Sequence, residues 1–188
     1  MNYKLILASN SPRRRELLKG LDINFDVRVI DGIEETHPVE IPLQEIPCYL
    51  ANLKANAYMK SMRDDELIIT ADTVVIVDDK ILEKPENRPE AIEMLKTLSG
   101  RKHTVITAVV LTAKEKQKTF SVASTVAFDT LSEDEIVYYV DKYHPFDKAG
   151  AYGIQEWIGY IGVLGVEGSF YNVMGLPVQR LYRELQRF

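Results

Sequence analysis

Between Lys4 and Leu18 the chain reads K-L-I-L-A-S-N-S-P-R-R-R-E-L-L, an apolar run suited to a strand that breaks at Ser9 and Ser11 and restarts as a helix at Pro12. Ser11 suits a helix N-cap and Pro12 the first helical position. A strand feeding straight into a capped helix commits the start of the chain to an α/β arrangement. Arg13, Arg14 and Arg15 then fill the first helical turn, where the positive end of the helix opposes each of them by a few tenths of a kcal/mol to about 1. Together with the free backbone N–H groups they form a cradle for an anion such as phosphate; solvated or acid-paired arginines are the plain alternative. The segment is not a P-loop, because the glycines and the closing Gly-Lys-Ser/Thr are missing.

Alternation and β-branched content predict strands at 3–8, 25–30, 67–77, 103–112 and 119–128, with a weaker one at 158–166. Helical patterns run over 12–19, 47–61, 89–98, 132–142 and 177–186, several opened by Pro or Ser, and Ser132 with Glu135 spells a capping box. Asp78-Asp79-Lys80 and the segment 113–118 read as polar turns between apolar runs. Strand and helix alternate early and hairpins fill the middle, which predicts a mixed sheet. There is no internal repeat, and no Gly/Ser-rich linker divides the 188 residues, so a single domain over 1–188 is expected, with any division into lobes continuous. The stretch from Gly150 to Gly175 is rich in glycine and shows no regular period. Such loops approach ligands closely or simply turn.

A hydrophobic fraction of 46% supports a well-buried core, and a net charge of −5 argues against a nucleic-acid-coating surface. One cysteine, Cys48, excludes an internal disulfide framework; with no long apolar run, a cytoplasmic protein without membrane attachment is expected. His37, His103 and His144 have no ligand-like spacing, so any metal should be a hard cation held by oxygens.

Asp72 lies in I-I-T-A-D-T-V-V-I-V, among residues that otherwise call for full burial. A buried carboxylate without a cation or hydrogen bonds costs several kcal/mol, on the order of the figures for unpaired buried ions. Asp72 therefore meets a lysine or a metal, turns the strand through a local bond to Thr73, or ends it. Lys54, in A-N-L-K-A-N-A, is solvated or directed inward, and Lys84 before Pro85 is held extended, toward a cleft or toward water. Glu34 and Glu35 follow Gly32 and suit a divalent cation or an ordinary loop. Arginines at a helix start, two lysines and acids on strand and loop positions are the parts of phosphoryl chemistry. No nucleophile elbow or paired histidine supports a Ser-His-Asp or Cys-His hydrolase.

These segments, with others, resemble the Maf family of nucleoside triphosphate pyrophosphatases from about Leu5 to the C-terminal helix. The matching stretches are L-A-S-N-S-P-R-R-R-E-L-L from Leu7, L-K-A around Lys54, A-D-T-V-V from Ala71, K-P at Lys84, L-S-G-R-K-H-T-V-I-T-A-V from Leu98, D-K-A-G-A-Y-G-I-Q from Asp147 and N-V-M-G-L-P from Asn172. The resemblance implies an elongated mixed α/β sheet with flanking helices and two lobes around a central cleft. It implies hydrolysis of a nucleoside triphosphate to the monophosphate and pyrophosphate with a divalent cation, Mg or Mn. It assigns Ser9, Arg13 and Arg14 to phosphate binding, Glu35 to the metal or water, Lys54 and Lys84 to charge neutralisation, Asp72 to the general base or metal, and Gln155 to the base or catalytic region. The A-G-A-Y-G-I-Q stretch is similar to the branch acting on dTTP, UTP and related, including modified, pyrimidine nucleotides. The chain departs from the pattern at Glu156, where glycine commonly follows Gln155, and at Glu83, where glycine commonly precedes Lys-Pro. The competing implication is a nucleotide-binding regulator of cell division. A homodimer is a further expectation, with Tyr138, Tyr139, Tyr143 and Trp157 read as a self-association surface or equally as core packing.

Overall fold

In the computed structural model, which describes residues 3–188, the opening motif forms β1 (Lys4–Leu7), α1 (Pro12–Lys19) and β2 (Phe25–Val27). Strand β1 pairs in parallel with β2, Leu5 opposite Phe25, and on its other edge with β3 (Glu66–Val77), Leu5 opposite Leu67. Parallel neighbours need a crossover; α1 supplies the first, and α2 (Ile46–Met59) precedes β3. Every residue of β3 except Thr73 is buried, the pattern of a strand covered on both faces. The sheet continues through β4 (Lys80–Leu82), β5 (Lys102–Thr112), β6 (Gln117–Phe128) and β7 (Val163–Glu167), in the order β2-β1-β3-β5-β6-β7 with β4 on β3. The fold is mixed α/β with flanking helices, as the resemblance implies.

The described residues divide into two compact units, each drawn from separated segments: residues 3–73, 107–122 and 175–188 form the first, residues 74–106 and 123–174 the second. In the first, Ile6, Ala8, Tyr58, Met62 and Ile68 make one core cluster. Ala51 and Ala55 of α2 meet Ala108 and Val110 of β5 in another. Small side chains on both partners let α2 lie close to the strands, and Thr70 of β3 donates its hydroxyl to the Ala51 carbonyl at 2.8 Å. Strand β2 stops at Val27, short of the expected Ile30. Beyond it the Tyr58 hydroxyl holds the chain instead, donating to the Arg28 carbonyl and accepting from the Ile30 N–H, both at 3.0 Å.

The second unit packs α3 (Arg88–Leu98) and α4 (Glu133–Tyr143) over a core that includes Val75, Leu95, Val126, Phe128, Tyr139 and Ile158. The β3–β4 connection is a two-residue turn in which Asp78 (φ 47°) and Asp79 (φ 58°) are both left-handed, the turn whose twist matches a hairpin. Helix α4 carries the capping box read from Ser132 and Glu135. The expected strand at 158–166 is corrected: its first half is a helix, α5 (Trp157–Gly162), and only Val163–Glu167 pairs, with β6. Glycines decide this, because a Cβ at Gly159 would fall 1.8 Å from the Ile154 carbonyl oxygen and one at Gly162 2.8 Å from Leu131. A short α6 (Phe170–Val173) follows, and α7 (Val178–Arg187) ends the chain in the first unit.

Candidate active site

The Thr70–Ala51 bond sets the register of α2 on β3. Two residues along the strand returns to the same face, and three residues along the helix does the same. Asp72 and Lys54 therefore meet one step beyond Thr70 and Ala51, with Lys54 Nζ 2.7 Å from Asp72 Oδ1. The same ammonium lies 2.8 Å from Glu35 Oε2, whose side chain is 42% exposed against 13% for Lys54. Of the three readings of Asp72, the lysine partner is the one the fold adopts. Among the described residues its carboxylate bonds to Lys54 alone.

Arg14 reaches the same region from α1. Ser11 accepts from the Arg14 N–H as N-cap, and Pro12 occupies the first turn. The Arg14 guanidinium donates Nε–H to the Gly175 carbonyl at 2.8 Å, Nη1 to the Ala71 carbonyl at 2.9 Å and Nη2 to Thr73 Oγ1 at 3.0 Å. Thr73 Oγ1 is in turn 2.9 Å from Thr107 Oγ1. Burial draws the Arg14 pKa below its ordinary value and Arg13 adds to this, while Asp72 and Glu35 oppose it; the group stays cationic, as guanidinium does throughout proteins. One of the three arginines that oppose the helix dipole thus serves the Ala71 and Gly175 carbonyls and the Thr73 hydroxyl, with two of its five N–H groups left over. Thr73 was read from the sequence only as a local partner for Asp72, and Thr107 was not singled out. Their signal was a threonine beside the buried acid and a second threonine within the L-S-G-R-K-H-T-V-I-T-A-V stretch.

Arg13 is half-buried on the same helix turn, and Ser9 is buried with its hydroxyl accepting from the Ser11 N–H at 3.2 Å. The first unit therefore gathers Glu35, Lys54, Asp72 and Arg14 into one cluster of two acids and two bases. Lys84 and Gln155 belong to the second unit. Lys84 is exposed after β4. Gln155 is half-buried, and its Oε1 is shut off from solvent without a hydrogen-bond partner.

Among the described residues, no group of three or more His, Cys, Asp and Glu side chains could hold a metal ion. The oxygen donors present are Glu35 and Asp72, both within 2.8 Å of Lys54 Nζ and so able to reach one point. A hard divalent cation of the Mg type takes one or two carboxylates and completes its shell with water and substrate phosphate oxygens. The pair fits that requirement.

A mixed sheet with these helices is a fold shared with Staphylococcus aureus Ham1 protein, whose solved structure matches over 96% of this chain and 99% of its own, with a TM-score of 0.54 and 19% identity. At the level of sequence, residues 4–188 match the family described as Maf-like protein, and the chain belongs to the Maf family. It is 60% identical over 186 residues to a Parabacteroides distasonis protein named dTTP/UTP pyrophosphatase, covering 99% of this chain and 96% of that one. A Bacteroides thetaiotaomicron protein of the same name is 57% identical over 98% of this chain and 96% of its own length.

Proposed function

We propose that this chain hydrolyses nucleoside triphosphates, dTTP and UTP foremost, to the monophosphate and pyrophosphate. The observation that carries the reading is the buried Asp72 held by Lys54 and flanked by Glu35 and Arg14, in a member of a family whose near relatives bear the name of that activity. The alternative of a nucleotide-binding regulator of cell division is not favoured by those names. No helix among the described residues is long and apolar enough to cross a membrane, and a nucleotide substrate with a lone cysteine suits the cytoplasm.

Asp72 orients the attacking water and accepts its proton as the water oxygen bonds to the α phosphorus, and pyrophosphate departs with the electrons of the broken bond. Lys54 sits between two acids in the free protein and can turn an N–H toward phosphate oxygen as negative charge accumulates there. Arg13 and Ser9, beside the start of α1, face the same charge with the helix N–H groups behind them. Arg14 holds the Ala71 carbonyl and the Thr73 hydroxyl, groups of the two residues that flank Asp72, and so steadies the strand at its carboxylate. A Mg or Mn ion on Glu35 and Asp72 would supply neutralisation of the triphosphate. For Lys84 and Gln155 the reading keeps the roles that the resemblance implies, charge neutralisation and base contact.

The test is pyrophosphate and monophosphate release from a panel of common and modified triphosphates, with Mg or Mn and with chelator. Turnover of dTTP and UTP that chelator abolishes is expected. Tight nucleotide binding with no product under any metal condition would leave a binding protein instead.

A further inference from the structure

Gln155 occupies the third position of a turn, Gly153-Ile154-Gln155-Glu156, closed by the Glu156 N–H donating to the Gly153 carbonyl at 2.9 Å. Both ends of this turn are tied to one atom. The Gly153 N–H donates to the Tyr139 hydroxyl at 2.9 Å, and that hydroxyl donates to a Glu156 carboxylate oxygen. The other Glu156 oxygen lies 3.1 Å from Lys148 Nζ, which is itself buried and also 2.8 Å from Asp147. Tyr139 is a rigid post: it is fully buried on α4 and stacked on Tyr143 with ring centres 5.0 Å apart. Burial, reinforced by Glu156, pushes its phenol well above the ordinary value, so it remains a donor at any working pH. There is no room for slack, since a Cβ at Gly153 would come 2.8 Å from Glu156 Cδ and 3.0 Å from Gln155 Nε2.

We infer that Tyr139, Glu156 and Lys148 are positioning residues that clamp this turn so that the Gln155 amide meets the nucleotide base in one fixed pose. Glu156, at the position where the family motif commonly continues with glycine, is in this chain the link between the turn and its post. Its charge is spent on Lys148 and Tyr139 and not on the triphosphate. The Gln155 Oε1, buried without a donor, is the group whose pose matters. An acceptor in that condition costs free energy until a ligand N–H satisfies it, and the N3–H of uracil or thymine is such a donor where cytosine has none. The inference rests on the reading of Gln155 as a base contact.

The test compares kcat/KM for UTP and CTP in the intact enzyme and in Tyr139→Phe, Glu156→Ala, Glu156→Gln, Gln155→Ala and the Tyr139→Phe/Gln155→Ala double variant. The UTP-over-CTP ratio is expected to fall about tenfold in Tyr139→Phe and Glu156→Ala, the size of one misplaced hydrogen bond. Glu156→Gln, whose amide oxygen still accepts from Tyr139 but whose NH2 cannot accept from Lys148, is expected to lose less of the ratio than Glu156→Ala. Adding Tyr139→Phe to Gln155→Ala should lower the ratio no further. Hydrogen exchange at the amides of residues 153 and 156 should quicken more in Glu156→Ala than in Glu156→Gln. If Tyr139→Phe does not fold, the two Glu156 variants decide. An unchanged ratio in Glu156→Ala, or independent effects of Tyr139 and Gln155, overturns the clamp. A Gln155→Ala variant with wild-type selectivity, or a wild type with no preference, overturns it too, while pyrophosphate release by the wild type keeps the hydrolase reading separate.

Discussion

Taking a carboxylate into the middle of a buried strand costs several kcal/mol, on the order of the penalty for an unpaired buried ion, so the Lys54 bond to Asp72 is a condition of the fold as well as a tool of the chemistry. Asp72→Asn keeps an acceptor for Lys54 but loses the proton-accepting group. Its unfolding midpoint should stay near wild type while pyrophosphate release falls by about 10² to 10⁴, the range for removing a general base; near-normal turnover removes Asp72 from that role. Arg14 presents the opposite balance. Three of its donors hold Ala71, Thr73 and Gly175, and a lysine cannot reproduce that planar fork. Arg14→Lys should therefore cost about 2 to 4 kcal/mol in denaturant unfolding, as expected for losing more than one charge-assisted hydrogen bond. A variant as stable as wild type would show the fork to be dispensable. Residue by residue, the sequence exposed the anomaly at Asp72 but not its resolution. Lys54 stands 18 positions away, and nothing in A-N-L-K-A-N-A says that this lysine turns inward. Glu35 was legible only as half of an acidic pair, because it lies in a segment without regular structure.

At the scale of elements, local chemistry was enough wherever a helix or strand carried its own signals. The start of α1 follows from Ser11 and Pro12, and α4 follows from its capping box, in which Ser132 Oγ accepts from the Glu135 N–H and the Glu135 carboxylate accepts from the Ser132 N–H. Ser132→Ala should lower stability by about 1 kcal/mol, the usual cost of losing an N-cap, with pyrophosphatase activity retained; a shift below a few tenths would mean the box is redundant. Local signals failed at W-I-G-Y-I-G, where apolar and glycine residues fit either period. The helix is tied to how closely Gly162 approaches Leu131, a tertiary distance with no trace in the local pattern. The aromatics illustrate the same limit. Tyr138 remains 43% exposed, edge-on to Trp157, whereas its neighbour Tyr139 is wholly buried and is removed from any surface the sequence offered for self-association. What no local pattern could show is the register of α2 on β3, set by the Thr70–Ala51 bond, and the candidate site depends on that register.

Across the whole molecule, the chain passes from one unit to the other at Thr73/Val74, Ile106/Thr107, Val122/Ala123 and Met174/Gly175, so neither unit is one contiguous piece that could be excised. Its stability as a whole should carry the signature of one buried titratable group in the second unit. His103 is 2% exposed, packed edge-on to Phe128 and Tyr152, with Nε2 2.6 Å from the Tyr152 hydroxyl and Nδ1 lacking a partner. Burial lowers its pKa from 6.5 to about 4, so the folded state resists a proton that the unfolded chain accepts. The stabilisation is complete above pH 6.5 and is lost as pH falls toward 4. At about 1.4 kcal/mol per tenfold difference in proton affinity, it amounts to roughly 3 kcal/mol. Glu66 acts lower on the scale. Burial works against its charge, but the Arg63 N–H and Arg28 outweigh that and bring its pKa below 4.5, so its contribution disappears only beneath that value. Denaturant unfolding at pH 7, 5.5 and 4.5 should therefore show a decline governed by His103, and His103→Phe should flatten it while lowering stability at pH 7 through the lost Tyr152 bond. A variant that declines as steeply as wild type over this window would place the acid sensitivity elsewhere.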